Sequence, residues 1–359
     1  MKVLCVAAAR PNFMKVKPVL DALEARGIGV HLVHTGQHYD PLLSDVFFEE
    51  LGLRAPDLHL GVGSGTHAQQ TAGVMVALEP VVAELAPEMM VVVGDVNSTM
   101  AAALVSAKAR VRLAHVEAGL RSGDRSMPEE INRIVTDRLS DVLFAPSPDA
   151  VDNLRAEGHP PAQIHLVGNV MIDTLLGNLD RALDRPVLDR LRLDRGGYAL
   201  VTLHRPANVD DPDVLRGLLA ALASVSRQLP VVFPVHPRAR SVVDALGVGP
   251  GIRVLDPLGY LDFVALEAGA AVVLTDSGGV QEETTVLGVP CLTLRDSTER
   301  PITVEEGTNR VIGRGPQVIV AEVDRVLRHG VPARCPALWD GHAAERIAEV
   351  VLTELTGER

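Results

Sequence analysis

Acidic side chains follow apolar runs at several places in the first half of the sequence. Asp95 follows the run at 91–94, Glu117 follows the run at 112–116, and Glu129 and Glu130 come directly after Pro128. Proline suits the first turn of a helix, so these two acids are expected at a helix start. Carboxylates that lie together repel each other, which can keep one protonated near neutral pH. The pattern therefore predicts a general acid and a general base at one site.

Each of these acids also has a structural interpretation. Glu129 at a helix N-terminus would stabilise the helix dipole by about 0.3–1 kcal/mol and could pair with Arg133 one turn later. Asp95 could cap the helix that follows it. The functional interpretation is favoured because Asp95 and Glu117 fall at predicted strand ends of the same half that contains Glu129.

The second half contains a segment suited to phosphate and ribose. Residues 275–283 read Thr-Asp-Ser-Gly-Gly-Val-Gln-Glu-Glu and follow an apolar run. Gly278 and Gly279 let a ligand approach the backbone, and a helix N-terminus offers free N–H groups to an anion. Glu283, about one turn into that helix, could accept both hydroxyls of a ribose or could lie on a solvated helix face.

A few cations stand at predicted strand ends. The net charge of the chain is −12, so an anionic substrate must be met by locally placed cations. His204 and Arg205 follow the run at 198–203, where they fit a phosphate site or an ordinary loop. Arg10 follows the first apolar run and Lys15 lies close behind it. These side chains are candidate phosphate ligands.

The elements that must position these residues alternate along the 359 residues. Most apolar runs are continuous rather than alternating, which is typical of parallel strands buried on both faces. Helical patterns separate them, so we predict an α/β fold with two Rossmann-like, doubly wound domains and a ligand in the cleft between them. The predicted strands are 3–8, 30–35, 89–94, 112–117, 142–145, 164–167, 198–204, 231–235, 252–255, 271–275 and 290–294.

The predicted domains are 1–168, which carries the acids, and 169–340, which carries the glycine-rich segment. Within the second range, the Arg- and Asp-rich stretch at 183–197 belongs to a linker region, and the second α/β domain proper begins at about Tyr198. A C-terminal helix within 341–359 could close the second domain or cross back to the first.

Composition excludes several classes of protein. The acidic balance disfavours binding to nucleic acid or to an anionic membrane surface. No apolar stretch approaches the roughly 20 residues of a membrane helix. Three scattered cysteines indicate a reducing compartment without a disulfide framework or zinc ribbon. P-loop and dinucleotide-binding motifs are absent. We therefore expect a cytoplasmic protein with no metal and no cofactor.

The sequence resembles the non-hydrolysing UDP-N-acetylglucosamine 2-epimerases of bacteria from Arg10 to about Gly313. Many matches occur in the family's order along the chain, which makes the resemblance specific. The matching segments are 10–15 (Arg-Pro-Asn-Phe-Met-Lys), 34–40, 94–99, 115–121 (His-Val-Glu-Ala-Gly-Leu-Arg), 128–133 (Pro-Glu-Glu-Ile-Asn-Arg), 168–173, 202–205, 233–236, 275–283 and 294–301.

The resemblance implies the GT-B-like fold of many nucleotide-sugar glycosyltransferases and a homodimer. It also implies reversible conversion of UDP-GlcNAc to UDP-ManNAc through elimination and re-addition of UDP, usually for surface polysaccharide precursors. Carried over by motif, it implies the following set: Asp95, Glu117 and Glu129 as the acid–base residues, His204 among the catalytic residues at the sugar phosphate, Arg10, Lys15 and Arg300 along the same region, Ser277, Gly278 and Gly279 at phosphate, Glu283 at ribose, and Phe263 beside uracil.

Some family members also have a second, activating UDP-sugar site, which we would place at Gln37, His38 and Gln70. Several positions depart from the family pattern, among them Asn12, where many relatives carry Glu, and Leu258, where better-known members carry Gln. These departures leave the sugar open. The alternatives are an epimerase of a UDP-linked 2,3-diacetamido uronic acid, a hydrolysing 2-epimerase, a GT-B glycosyltransferase and a non-enzymatic sensor.

Overall fold

The computed structural model describes residues 1–8, 10–36, 50–332 and 334–357, except for the side chains of residues 10, 11 and 238. The chain divides into two compact units. The first consists of Met1–Gly177 with Ala337–Arg359, and the second of Asn178–Pro336. Across the described residues, no helix combines the length and the apolar composition needed to cross a membrane.

The first unit contains a seven-stranded parallel sheet in the order β3-β2-β1-β4-β5-β6-β7. Its central strands are buried on both faces, which explains their continuous apolar sequences. The strands are β1 (Lys2–Ala7), β2 (Gly29–His34), β3 (Leu58–His59), β4 (Met89–Val93), β5 (Arg112–Val116), β6 (Val142–Ala145) and β7 (Ile164–Leu166).

Helices cover both faces of this sheet. Val16 and Leu20 of the first helix pack in one buried cluster with Ile347 and Val351 of the last helix. The helices are α1 (Arg10–Ala25), α2 (His67–Leu85), α3 (Asn97–Ala109), α4 (Pro128–Leu139), α5 (Pro148–Ala156), α6 (Val170–Leu183) and the C-terminal helix, Ala343–Thr356, with a 3₁₀ turn at Pro161–Gln163.

The second unit contains a six-stranded parallel sheet in the order β10-β9-β8-β11-β12-β13. One apolar cluster lies on each face, so this sheet is also doubly wound. The strands are β8 (Ala199–Thr202), β9 (Val231–Pro234), β10 (Ile252–Leu255), β11 (Val272–Thr275), β12 (Cys291–Thr293) and β13 (Asn309–Val311). The helices are α7 (Val187–Leu191), α8 (Pro206–Val209), α9 (Pro212–Val225), α10 (Pro237–Leu246), α11 (Tyr260–Gly269), α12 (Gly278–Leu287), α13 (Ile302–Glu305) and α14 (Pro316–His329); the C-terminal helix is α15.

The structure confirms the predicted α/β fold and its strands. All eleven predicted strands are present, with ends that differ by at most two residues, whereas β3 and β13 were not predicted. The first unit extends to Gly177, beyond the predicted boundary at residue 168, and the chain returns to it at Ala337. Helix α15 lies in the first unit, where Asp173 accepts hydrogen bonds from the backbone N–H groups of Ala343 (3.1 Å) and Ala344 (2.6 Å).

Candidate active site

The turn after β4 is packed closely by polar side chains. Gly94 has φ +69°, a left-handed conformation that favours glycine. A Cβ at this position would lie 3.2 Å from Lys15 Nζ, 3.3 Å from Asn12 Nδ2 and 3.3 Å from Glu117 Oε2. The turn that carries Asp95 therefore lies directly beside Glu117, and a glycine is needed for this close approach.

Glu117 follows β5 in a strained backbone conformation. Its φ is +73°, which costs a residue with a side chain roughly 1–2 kcal/mol. The carboxylate is buried and forms an ion pair with Lys15, a buried residue of α1. Asn12, one turn earlier on α1, donates to the carbonyl of Val93 at 3.0 Å. Strain of this kind is commonly found at functional sites.

Asp95 forms an ion pair with Arg133. Arg133 of α4 is buried and donates from Nη2 to Asp95 Oδ2 at 2.5 Å and from Nη1 to Glu130 Oε2 at 2.9 Å. The pairing of Glu129 with Arg133 that the sequence left open is not formed. The capping interpretation of Asp95 is also wrong, because the N-cap of α3 is Val96. The expected repulsion between Asp95 and Glu117 is offset, since each is paired with a cation.

The two acids at the start of α4 differ in their surroundings. Glu130 accepts hydrogen bonds from the Ser122 N–H (2.9 Å), the Ser122 hydroxyl (3.0 Å) and the Gly123 N–H (2.9 Å). Burial alone would raise the pKa of Glu130, but these donors and Arg133 outweigh it and lower the pKa below its usual value. The residue Glu129 is half-buried, and its side chain makes no hydrogen bond or ion pair with the part of the chain that the structure describes. Glu130 thus orders the loop at 122–123, and Glu129 is the acid that remains available.

In the second unit, Asp276 orients His204. The Asp276 carboxylate is fully buried after β11 and accepts from the backbone N–H groups of His204 (3.1 Å) and Arg205 (3.0 Å). Burial raises the pKa of Asp276, but hydrogen bonds, first among them that from His204, outweigh burial and lower it. The His204 Nδ1 lies 2.9 Å from Asp276 Oδ1, so Nδ1 donates and Nε2 is the nitrogen that can exchange a proton.

The N-terminus of α12 lies beside a cluster of arginines. Ser277 is the N-cap, and a side chain at Gly278 would overlap the guanidinium of Arg300. Arg300 is buried and pairs with Glu282 (2.7 Å) and with Glu299 (2.7 Å). Arg295 (2.7 Å) and Arg205 (3.3 Å) complete the cations around Glu299.

These arginines also act on the pKa of Glu299. Burial would raise it, but the adjacent Arg300, Arg295 and Arg205 outweigh burial and hold it far below its usual range. Guanidinium groups beside a helix N-terminus form a setting suited to a phosphate.

Glu283 lies inside the second unit rather than on a solvated helix face. Its residue is 4% exposed, so the solvated interpretation is wrong. The Tyr260 hydroxyl donates to Glu283 Oε1 at 3.1 Å. Burial raises the pKa of Glu283 to about 7. Burial also raises the pKa of the neighbouring Glu267, and the charge of Glu283 raises it further, so Glu267 holds the proton of this pair.

The remaining predicted residues fall into three groups. Phe263 of α11 is half-buried and packs on the apolar cluster that includes Leu266. Gln70 is buried, and its Oε1 accepts from Asn97 Nδ2 at 2.7 Å. The side chain of Arg10, which begins α1, and both Gln37 and His38 lie outside the described residues.

Sequence reasoning missed the partners of the predicted residues. Asp276, Glu299 and Tyr260 were not assigned a role, and Arg133 was considered only as a partner of Glu129. The contacts of Arg133 with Asp95, of Asp276 with His204 and of Tyr260 with Glu283 join elements that are distant in sequence, which no local pattern signals. Within the described residues, no group of three or more His, Cys, Asp or Glu side chains is placed to hold a metal ion.

Each unit contains a doubly wound parallel sheet. The first unit carries the paired acids after its strands, and the second unit carries the helix start that is flanked by arginines. This architecture defines a GT-B-like α/β protein. Comparison with known proteins then gives the family. A family model described as UDP-N-acetylglucosamine 2-epimerase matches residues 21–352, and the chain belongs to this family.

Individual relatives cover nearly the whole chain. A UDP-N-acetylglucosamine 2-epimerase of Methanocaldococcus jannaschii is 40% identical over 363 residues, which cover 98% of this chain and 99% of the relative. A solved structure of a UDP-GlcNAc 2-epimerase from that organism, in complex with UDP-GlcNAc and UDP, has a TM-score of 0.91 at 39% identity and covers 98% of this chain and 99% of its own. A UDP-2,3-diacetamido-2,3-dideoxy-D-glucuronate 2-epimerase of Pseudomonas aeruginosa is 42% identical and covers 97% of this chain and 99% of the relative.

Proposed function

We propose that the protein interconverts UDP-GlcNAc and UDP-ManNAc by inverting C2 of the sugar. The observation that carries the proposal is the pair of acids at the ends of the adjacent strands β4 and β5. Asp95 is paired with Arg133 and Glu117 with Lys15, and the Glu117 carboxylate lies beside Gly94, the residue before Asp95. Family membership supports the same reaction.

The chemistry explains why a nearby pair of acids is needed. The C2 proton is not next to a carbonyl group, so its direct removal is too costly. In the proposed reaction a base takes the C2 proton while the bond from C1 to the UDP oxygen breaks, and UDP departs with the bonding electrons. The C1–C2 double bond of a 2-acetamidoglucal forms. UDP then adds back to C1, and an acid returns a proton to C2 on the opposite face.

We assign the acid and base roles to Asp95, Glu117 and Glu129. In the second unit, His204 and Arg300 stabilise the departing diphosphate, since Asp276 orients the imidazole and Glu299 holds the guanidinium. The other proposed substrate contacts are Arg10 and Lys15 near the diphosphate, Ser277, Gly278 and Gly279 at phosphate, Glu283 at the ribose hydroxyls and Phe263 beside uracil. The proposed reaction needs neither a metal nor a redox cofactor.

A second substrate is supported by a specific observation. The relative from Pseudomonas aeruginosa, at 42% identity, is a 2-epimerase of a UDP-linked diacetamido uronic acid. The same elimination at C1–C2 would serve that sugar, which differs in its substituents at C3 and C5. We therefore keep it as the alternative substrate.

One experiment tests these proposals. The protein is incubated in D2O with UDP-GlcNAc, and in parallel with the UDP-linked diacetamido uronic acid, and both samples are followed by NMR. Deuterium at C2 with UDP still attached supports the epimerase, and the faster substrate identifies the sugar. Release of free UDP and free sugar would indicate a hydrolysing enzyme. An unchanged spectrum for both sugars would indicate a glycosyltransferase or a sensor.

We further propose a cytoplasmic homodimer with domain boundaries near those predicted, and an activating UDP-sugar site at Gln37, His38 and Gln70. These proposals rest on the resemblance to the family. Sedimentation at micromolar concentration tests the dimer. A sigmoidal dependence of rate on UDP-GlcNAc supports the second site, and a hyperbolic dependence that added UDP-GlcNAc does not alter contradicts it.

A further inference from the structure

A fully buried carboxylate on α4 contacts the loop that follows Glu117 directly and, through His115, the turn that carries Asp95. Asp137 Oδ1 lies 2.6 Å from His115 Nδ1. Its Oδ2 accepts from the Gly119 N–H at 3.1 Å and from Arg121 Nη2 at 2.7 Å. Arg121 is itself held by two 2.7 Å contacts to Glu157. Gly119 is two residues after Glu117, so Asp137 fixes the backbone on the far side of that acid.

His115 extends this contact to the other loop. It is fully buried on β5, and its Nε2 lies 2.9 Å from the carbonyl oxygen of Gly94, the residue before Asp95. A carbonyl oxygen only accepts, so Nε2 carries a proton. Its Nδ1 faces the Asp137 carboxylate, whose other oxygen accepts from Gly119 and Arg121. His115 therefore links Asp137 to the Gly94 carbonyl, with Nε2 as the donor to Gly94.

The charges around Asp137 favour the ionised form of its carboxyl group. Burial would raise the pKa of Asp137, but His115 and Arg121 outweigh burial and lower it. Arg121 pairs with the buried Asp137 and with the exposed Glu157. A buried ion pair of this kind is seldom a net source of stability, which makes a role in positioning the more economical explanation.

We propose that Asp137 and His115 are positioning residues for the acid–base set. Asp137 holds His115 as the donor that fixes the Gly94 carbonyl, and it holds the Gly119 N–H directly, so one carboxylate sets the spacing between Asp95 and Glu117. The inference rests on the proposed function, in which these two acids exchange the C2 proton.

Two substitutions at one position separate positioning from general damage. Asp137→Asn keeps the shape and the bonding pattern, because its amide N–H can donate to a neutral His115 while its oxygen accepts from Gly119 and Arg121. Asp137→Ala removes every one of these bonds. Asp173→Ala is the control, since it deletes a half-buried aspartate of the same unit whose carboxylate accepts from the backbone N–H groups of Ala343 and Ala344 at the start of α15.

The expected result is a fall in kcat of about 100-fold for Asp137→Ala, the scale associated with misplacing reacting groups by an ångström. The Kd for UDP should be unchanged, Asp137→Asn should recover kcat to within about tenfold of the wild type, and Asp173→Ala should keep wild-type kcat. Normal kcat in Asp137→Ala, equal losses in the Asn and Ala variants, or a loss of kcat in Asp173→Ala as large as in Asp137→Ala would each overturn the proposal.

The contact with Gly94 is read without substrate. In ¹⁵N-histidine NMR spectra, Nε2 of His115 should carry a proton, and the His115 signals should disappear in His115→Gln. An unprotonated Nε2 on His115 would overturn the proposal. If the wild-type enzyme fails to exchange the C2 proton, the proposed function fails instead, and the NMR result stands independently of it.

Discussion

Replacing Gly94 with alanine tests how closely the two paired acids must approach. Gly94 has φ +69° and lies between β4 and Asp95. The added Cβ would meet Lys15 Nζ at 3.2 Å and both Asn12 Nδ2 and Glu117 Oε2 at 3.3 Å. These separations are shorter than ordinary contacts to a Cβ, so the ion pair of Lys15 and Glu117 has to shift by a few tenths of an ångström.

Two costs follow from this geometry. The left-handed backbone costs alanine roughly 1–2 kcal/mol of folding stability. The displaced ion pair adds a separate loss in rate, because a misplacement of 1 Å can cost about 100-fold. We therefore expect Gly94→Ala to lower kcat between about tenfold and 100-fold, which corresponds to about 1.4–3 kcal/mol in the barrier.

The matched control is Gly27→Ala. Gly27 is an exposed residue of the same unit with φ +73°, and a Cβ there meets no atom within 4 Å. Gly27→Ala therefore has the energetic cost of a left-handed backbone, but its new Cβ makes no close contact. Urea unfolding and kcat are measured for both variants, and both should lose similar stability while only Gly94→Ala loses turnover. Equal turnover in the two variants would refute the close approach as a requirement for activity.

The acid–base assignment predicts that Asp95→Asn, Glu117→Gln and Glu129→Gln each lose most turnover while UDP binding by calorimetry is retained; normal turnover in a variant removes that residue from the set. Because burial raises the pKa of Glu283 to about 7, its ionised form is lost as pH falls through 7, so KM should rise there. Glu283→Gln should flatten this profile, and a flat wild-type profile would contradict the ribose role. The low pKa of Glu299 means that its stabilisation is present above its ordinary pKa of 4.5 and is lost as pH falls below that value. Glu299→Gln should destabilise the protein by about 3–5 kcal/mol at pH 7, because it leaves buried arginines uncompensated; the same denaturation midpoint as the wild type would argue against the cluster.

Much of the fold follows from local patterns. A continuous apolar run such as Met89–Val93 has to be buried on both faces, and only a sheet covered by helices on each side provides that environment. The two strands that were missed, Leu58–His59 and Asn309–Val311, lie at the sheet edges and are too short to show a period. Their pairing depends on the neighbouring strand rather than on their own sequence.

The acids of the site were predictable because polar residues after a buried strand collect at one edge of a parallel sheet. The cations that pair with these acids could not be predicted from the sequence. The sequence spacing favoured Arg133 as a partner of Glu129 on the same helix, but the folded protein pairs it with Glu130 and with Asp95, 38 residues away.

The amino-acid sequence alone thus determined the α/β class, the order of the strands along the chain and which carboxylates stand at strand ends, since each of these depends on residues within one element. Tertiary structure decided which cation neutralises which acid, for example Lys15 with Glu117 across 102 residues. It also decided which carboxylates lie in the interior, as Glu283 and Asp137 do. The physical reason is that charge pairing and burial depend on the packing of elements distant in the chain, which a local pattern does not encode.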